Sequence, residues 1–271
     1  MTRILVTNDD GIDSPGLHAV VAAIADLAEV SVIAPDRNRS GVSRSITLGQ
    51  TLVVTEQSLP GTVQAFATDG TPTDCVRLAA LGLVGDVPDM VVSGANHGLN
   101  VGDDVTYSGT VAAAFEGVFN GIPAIAVSQQ TLARETGFPM SNAFDFTAMQ
   151  QFLRGLVQAL LAGDVVVPPS TVLNVNAPGL DAASVGGVEV TRLGRRIYRD
   201  KLELQSDEGG RRRYSLYGDD PSHHEEEGTD IAAIGRGNIA LTPLRYDLVH
   251  DSTLNVLRGW PLDEMRQRGH R

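Results

Sequence analysis

The chain has 271 residues, 42% of them hydrophobic, which is enough for a large core in one domain with an appendage. Against 21 Lys and Arg stand 33 Asp and Glu, a formal charge of -12, and an acidic chain of this kind is excluded as a general binder of nucleic-acid polymers, which need clustered cations. The single cysteine, Cys75, excludes an intrachain disulfide and a cysteine-built zinc site. No uninterrupted apolar stretch approaches the roughly 20 residues of a membrane helix. Near the start no basic flank precedes a long apolar run, so a cytoplasmic protein without membrane contact is expected.

The first element is the apolar run Ile4-Leu5-Val6, which lacks polar alternation and reads as a buried parallel strand. It ends abruptly in Thr7-Asn8-Asp9-Asp10-Gly11. Pro15 opens a helix whose apolar face is Leu17, Val20, Val21, Ile24 and Leu27. Val30 to Ala34 is a second strand, ending in Pro35-Asp36-Arg37-Asn38-Arg39-Ser40-Gly41. This strand, helix, strand unit implies parallel pairing through a right-handed crossover. Leu52 to Thr55 and Val63 to Ala67 read as paired strands with a Pro60-Gly61 turn. Thr71 fits a helix N-cap, Pro72 the first helical position and Asp74 the first turn. Met90 to Val92 is a strand running into the loop from Ser93 to Gly102. A helix follows from about Ser108 to Phe119, then a strand at Ala124 to Val127, a long helix over Phe144 to Leu161, and a strand at Val172 to Val175. The fold class expected is α/β: a Rossmann-like three-layer core with a mostly parallel sheet.

Beyond about residue 185 the texture changes to short β-like runs, Val188 to Thr191, Ile197 to Leu204 and Arg213 to Tyr217. Arg211-Arg212-Arg213 and the polar stretch Gly218 to Gly228 between and after them read as solvated faces or a loop. A long hairpin with few core residues needs company to be stable. The expected organisation is therefore a catalytic core at 1–184, a β-rich arm at 185–228 that packs on another subunit, and a closing segment at 229–271 on the core. In that last segment Ile231 to Leu244 is expected to be a returning strand.

Four polar clusters follow predicted strands, and loops after successive strands of a doubly wound sheet converge at one edge. Asn8, Asp9 and Asp10 form the first, Asn38 and Ser40 the second, Asn96 and Asn100 the third, Ser108, Gly109 and Thr110 the fourth. Adjacent carboxylates repel unless a cation or proton lies between them. Asp9, Asp10, Ser40 and Asn96 together offer a hard-cation site suited to one Mg2+ or Mn2+, with open positions for water and substrate. Each cluster has a plain turn reading as well. The head of the helix after Tyr107 admits two readings, an ordinary N-cap at Ser108 or Thr110, or an anion site whose free amides and hydroxyls hold a phosphate. In the second reading Gly109 lets backbone approach the ligand closely. Together these imply phosphomonoester hydrolysis by a metal-activated water, with Asp9 or Asp10 as catalytic proton acceptor and Asn8, Asn38, Asn96, Asn100, Ser108, Gly109 and Thr110 around the substrate. His97 reads as a structural loop histidine more readily than as a ligand. Cys75 reads as a buried small hydrophobe.

A P-loop, a dinucleotide fingerprint and an H-E-x-x-H zinc motif are all absent. Five segments in order, Thr7 to Gly11, Ala34 to Gly41, Gly70 to Val76, Ser93 to Asn100 and Tyr107 to Val111, resemble the SurE family of stationary-phase survival proteins. Later segments Leu173 to Asn176, Glu227 to Asp230 and Thr242 to Leu244 resemble it too, so the likeness covers nearly the whole chain. The resemblance implies a metal-dependent nucleotidase that acts on nucleoside 5′- and 3′-monophosphates, with some activity on other phosphomonoesters and short polyphosphate. It implies metal ligation by Asp9, Asp10, Ser40 and Asn96, and a C-terminal extension exchanged in a homodimer or homotetramer. Ala95 departs from the larger aliphatic residue common there. A non-catalytic nucleotide-binding regulator on the same fold is the alternative, but such a protein has no need of the paired Asp9 and Asp10. An aspartyl-phosphate phosphatase would place its two aspartates one residue apart, and here they are adjacent.

Overall fold

The structure is a computed structural model that describes residues 1–137, 139–216, 219–224 and 226–268. Its elements, in chain order, begin with β1 (Arg3–Thr7), α1 (Pro15–Ile24), β2 (Glu29–Pro35), β3 (Val54–Gln57), β4 (Gln64–Thr68), α2 (Pro72–Ala80) and β5 (Met90–His97). Then come α3 (Gly109–Phe119), β6 (Ala124–Gln129), α4 (Thr147–Ala162), β7 (Thr171–Ala177), β8 (Val188–Val190), β9 (Arg196–Arg199), β10 (Glu203–Glu208) and β11 (Arg211–Ser215). The remainder is β12 (Asp219–His223), α5 (Asp230–Gly235), β13 (Ile239–Arg245), α6 (Asp251–Arg258) and α7 (Leu262–Arg268).

The main sheet has nine strands in the order β3-β4-β2-β1-β5-β6-β7-β13-β8. β1 pairs in parallel with β2 on one side and β5 on the other. From β1 the chain first winds outward through β2 and β4, then returns and winds the other way through β5, β6 and β7. The gap between the ends of β1 and β5 is therefore the switch point where such folds bind ligands. The pairs β3 with β4 and β13 with β7 are antiparallel, and the other pairs of the main sheet, β13 with β8 included, are parallel.

Helices cover both faces, which explains the unbroken apolar strands. Ile4 and Val6 of β1 point into one core with α1 and α4, and Leu5 points into the other with α2 and α3. Local chemistry starts α1 and α2 where the sequence suggests. Ser14 caps α1 with Pro15 next, and Thr71 and Asp74 form a reciprocal capping box on α2.

Several expectations need correction. β5 continues to His97, because Asn96 and His97 still pair with Ser128 and Gln129 across an irregularity in register. The expected returning strand Ile231 to Leu244 is instead α5 followed by β13. Thr229 caps α5 by accepting from the Ala232 amide, and the Ile231–Ile234 spacing buries one helical stripe against Leu99 and Val101. The run from Val188 does not leave the core, since β8 is the edge strand beside β13. What leaves the sheet is β9 to β12, two separate antiparallel pairs, β10 with β11 and β12 with β9. Arg211, Arg212 and Arg213 lie exposed in β11. The polar stretch Gly218 to Gly228 lies partly outside the described residues, as does Tyr217, the end of the third β-like run. α6 has no buried residue, and Leu254, Leu257, Trp260, Leu262 and Met265 are exposed. Among the described residues, no helix is long and apolar enough to cross a membrane.

Candidate functional site

β1 delivers Asp9 and Asp10 to the switch point. Asp9 is buried and Asp10 half-buried. Asp9 Oδ1 accepts from Thr110 Oγ1 at 2.5 Å. Asp10 Oδ2 accepts from the backbone amide of His97 at 2.9 Å, and its Oδ1 faces Asn38 Nδ2 at 3.5 Å. Asp9 is thus held by α3 and Asp10 by the end of β5. Burial pushes the Asp9 carboxyl up to about 6, with the neighbouring charge of Asp10 as second cause. Burial likewise pushes Asp10 to about 6. Among the described residues no arginine forms an ion pair with either carboxylate.

The loop after β2 lies over the pair. The Arg39 amide donates to the Asp9 carbonyl at 2.7 Å, and the Ser40 amide donates to Asn38 Oδ1 at 2.7 Å. Ser40 is exposed. Asn96 is half-buried beside Asp10's partner His97, with its Nδ2 donating to the Gly98 carbonyl at 3.0 Å. So Asn38, Ser40, Asn96, Gly109 and Thr110 converge on Asp9 and Asp10 through strand ends and backbone bonds, as the doubly wound sheet requires.

Three residues of the expected substrate set make hydrogen bonds within the scaffold. Asn8 donates to the Gly11 carbonyl at 2.9 Å and to Ser14 Oγ at 2.7 Å, so it builds the turn and steadies the α1 cap. Ser108 is the N-cap of α3, accepting from the Val111 amide at 3.0 Å. Asn100 is tied into the sheet: its Nδ2 donates to Ser128 Oγ at 2.9 Å, its amide donates to Asn176 Oδ1 at 2.8 Å, and its carbonyl accepts from Asn174 and Asn176. A loop asparagine carries no sequence mark that separates these two uses.

Of the two readings of the head of α3, the N-cap is the one seen, and it falls on Ser108. Ser108 caps the helix by accepting from the Val111 amide, and the Thr110 hydroxyl, with its backbone amide close by, meets the Asp9 carboxylate. Gly109 is required there, because a Cβ would stand 2.8 Å from Asp9 Cβ and 2.9 Å from its Oδ2. Gly16 is a requirement missed in the sequence: a Cβ there would stand 2.0 Å from the Ala95 carbonyl oxygen. The His97 ring stacks on Phe144, with centroids 4.7 Å apart, and its Nε2 accepts from the Gly16 amide at 3.3 Å. Burial lowers its pKa, so the ring is a neutral brace with its proton on Nδ1. Cys75 is buried, and burial pushes its thiol far up, so it is inert packing.

The donors fit a divalent cation. Two buried carboxylates without a cationic partner, flanked by an amide and a hydroxyl, make a hard oxygen set with room for water. No group of three or more His, Cys, Asp or Glu that could hold a metal exists among the described residues, so neutral oxygens have to complete the shell.

Comparison with known proteins identifies the family. The family described as "Survival protein SurE" matches residues 4–200. The chain is 47% identical over 264 residues to "5'-nucleotidase SurE" of Rubrobacter xylanophilus, covering 97% of this chain and 98% of the relative. It is 46% identical to the protein of the same name from Chloroflexus aggregans, covering 95% and 98%. Among solved structures it is similar to the SurE protein from Aquifex aeolicus, with TM-score 0.78 and 36% identity over 94% of this chain and 98% of that one. The chain belongs to the SurE family.

Proposed function

We propose that this protein is a metal-dependent phosphomonoesterase that hydrolyses nucleoside 5′-monophosphates, and 3′-monophosphates as well, to nucleoside and phosphate. The observation that carries the reading is the Asp9–Asp10 pair at the switch point, Asp9 buried and Asp10 half-buried, with both carboxyls raised by burial and no arginine paired to either among the described residues. The names borne by the Rubrobacter and Chloroflexus relatives support the nucleotidase class.

Asp9, Asp10, Ser40 and Asn96 hold one divalent ion per subunit, Mg2+ or Mn2+. Once bound, such an ion polarises phosphoryl oxygens and acidifies a water. The chain does the rest. Thr110 and the amides at the head of α3 fix Asp9 in one orientation, and the His97 amide fixes Asp10. Asn38 and Asn96 stand beside them as neutral donors to the phosphate. The attacking water passes a proton to Asp9 or Asp10, the bond between phosphorus and the nucleoside oxygen breaks, and that same proton goes on to the leaving nucleoside oxygen, which restores the carboxylate. The segment β9 to β12 is an arm that seats on a second subunit in a homodimer or homotetramer. The core, arm and closing segment are three units of one cytoplasmic chain, with the arm's root at β9 instead of residue 185.

The test is inorganic phosphate release from a panel of nucleoside monophosphates, first with metal-stripped protein and then with manganese or magnesium restored. Release that needs metal and vanishes in Asp9→Asn is expected. A folded protein that binds nucleotide yet releases no phosphate with any divalent ion would mark a binding protein instead.

A further inference from the structure

β7 is an inner strand of the main sheet, yet two asparagines, Asn174 and Asn176, stand two residues apart on one of its faces, both fully buried. Buried amides are costly unless hydrogen-bonded, and these two turn to one residue of the loop after β5. Asn176 closes a pair with Asn100: its Oδ1 accepts from the Asn100 amide at 2.8 Å, and its Nδ2 donates to the Asn100 carbonyl at 3.0 Å. Asn174 Nδ2 donates to that carbonyl too, at 2.9 Å, while its Oδ1 has no partner among the described residues. From β6, Ser128 Oγ accepts from Asn100 Nδ2 at 2.9 Å. An apolar strand in place of β7 would leave the Asn100 amide and carbonyl buried without these partners.

Asn100 closely follows Asn96 and His97, and the His97 amide donates to Asp10 Oδ2 at 2.9 Å. The ladder between β5 and β6 slips in register between Ser93 and Asn96. Pairing along β5 therefore does not run unbroken into the segment that meets Asp10, and that segment depends on its anchors downstream. Asn100 is one of them, and Gly102 is another, its amide donating to Asp230 Oδ2 at 2.8 Å. We infer that Asn176, seconded by Asn174 and Ser128, is a positioning residue. Through the Asn100 backbone it sets where Asn96 and the His97 amide stand, and so which way Asp10 faces the cation. This inference rests on the metal-dependent nucleotidase reading above.

The test reads Mn2+ affinity by isothermal titration, and kcat for a nucleoside 5′-monophosphate at saturating Mn2+, both well below each variant's Tm. Asn176→Ala is expected to weaken Mn2+ binding about tenfold, the lower end for a group that orients a metal's ligands, and to lower kcat by a similar factor. Ser128→Ala is the second variant, for the case where Asn176→Ala does not fold, and a severalfold loss of both values is expected from it. Val30→Ala is the comparison. Val30 is buried near the start of β2, at the opposite end of the sheet from the carboxylates, so its truncation lowers Tm and is expected to leave both values unchanged. Wild-type affinity and kcat in the folded Asn176→Ala and Ser128→Ala proteins overturn the inference. Equal losses in Val30→Ala overturn it as well, since they mark an effect of stability alone. In both cases the nucleotidase reading stands. A wild-type protein that neither binds Mn2+ nor releases phosphate with any divalent ion overturns both.

Discussion

Thr110 donates its hydroxyl to Asp9 at 2.5 Å, across 101 positions of sequence and from a different layer of the fold. The bond ties the first strand's carboxylate to the head of α3, which also offers it an amide and the positive end of a helix dipole. It decides which oxygen of Asp9 is left for a cation. Groups that orient a metal's ligands typically change affinity by about 10–100-fold when lost. Thr110→Val is expected to weaken Mn2+ binding by that much in isothermal titration, at a cost of about 1 kcal/mol in stability. Unaltered Mn2+ affinity in the folded variant would show that Thr110 is only a helix residue.

Gly109 makes the close approach of α3 to Asp9 possible. A methyl group at this position would stand 2.8 Å from Asp9 Cβ, nearer than real carbons pack. Gly109→Ala is expected to cost about 1–3 kcal/mol, as overpacking does, and to lower turnover at least tenfold by moving Asp9. Gly155 in α4 is the control, since nothing lies within 4 Å of its added Cβ. Gly155→Ala is expected to stabilise by roughly 0.5–1 kcal/mol with activity intact. Thermal unfolding and phosphate release on both variants check this.

Metal and pH are linked through the carboxylate pair. Burial raises both carboxyls from an ordinary 3.8 to about 6. A raised folded pKa gives stability that is fully present below the unfolded value and lost as pH rises through the folded one. Metal-free protein is therefore expected to lose stability between about pH 4 and 6, on the order of 2 kcal/mol from this pair. A divalent ion reverses the penalty at neutral pH, so the rise in Tm on adding Mn2+ is expected to be larger at pH 7.5 than at pH 5. A rise that is equal at the two values would remove Asp9 and Asp10 from the metal site.

Arg44 anchors the strap that carries Asn38 and Ser40. Its guanidinium lies 4.0 Å from the Phe119 ring centroid and 5.4 Å from that of Tyr246, and it pairs with the buried Glu116 at 2.9 Å. Ser43 and Thr47 pin the same strap to the Thr106 carbonyl and to Asp74. Arg44→Met leaves Glu116 with Arg77 at 3.8 Å and Asn120 Nδ2 at 3.5 Å, and is expected to cost about 1–2 kcal/mol. Limited proteolysis at 38–53 is expected to quicken severalfold. Arg44→Lys is expected to rescue it only in part, because an ammonium lacks the planar fork. Equal cleavage rates in all three proteins would show the strap to be held by its other bonds alone.

Much of this molecule can be read from its residues in order. Unbroken apolar runs such as Ile4 to Val6 mean strands buried on two faces, and polar clusters at their ends mean loops at one sheet edge. That is enough to bring Asp9, Asp10, Asn38, Ser40 and Asn96 into one neighbourhood, because chain direction and crossover handedness leave few other arrangements. Capping chemistry is equally local, and Thr71, Asp74 and Ser14 act as their positions suggest. Partner choice is not local. Asn8, Asn100 and Ser108 look like site residues, but their amides and hydroxyls are committed within the scaffold. Thr110, which reads as a cap or as a phosphate donor, meets Asp9. A short apolar stretch such as Ile231 to Ile234 satisfies helix and strand alike until it meets Leu99 and Val101. Chemistry and placement along the chain follow from sequence, because they depend on residue type and local period. Which oxygen each hydroxyl and amide meets was decided only by tertiary structure, because a hydrogen bond reaches about 3 Å and its partner here lies up to 101 residues away.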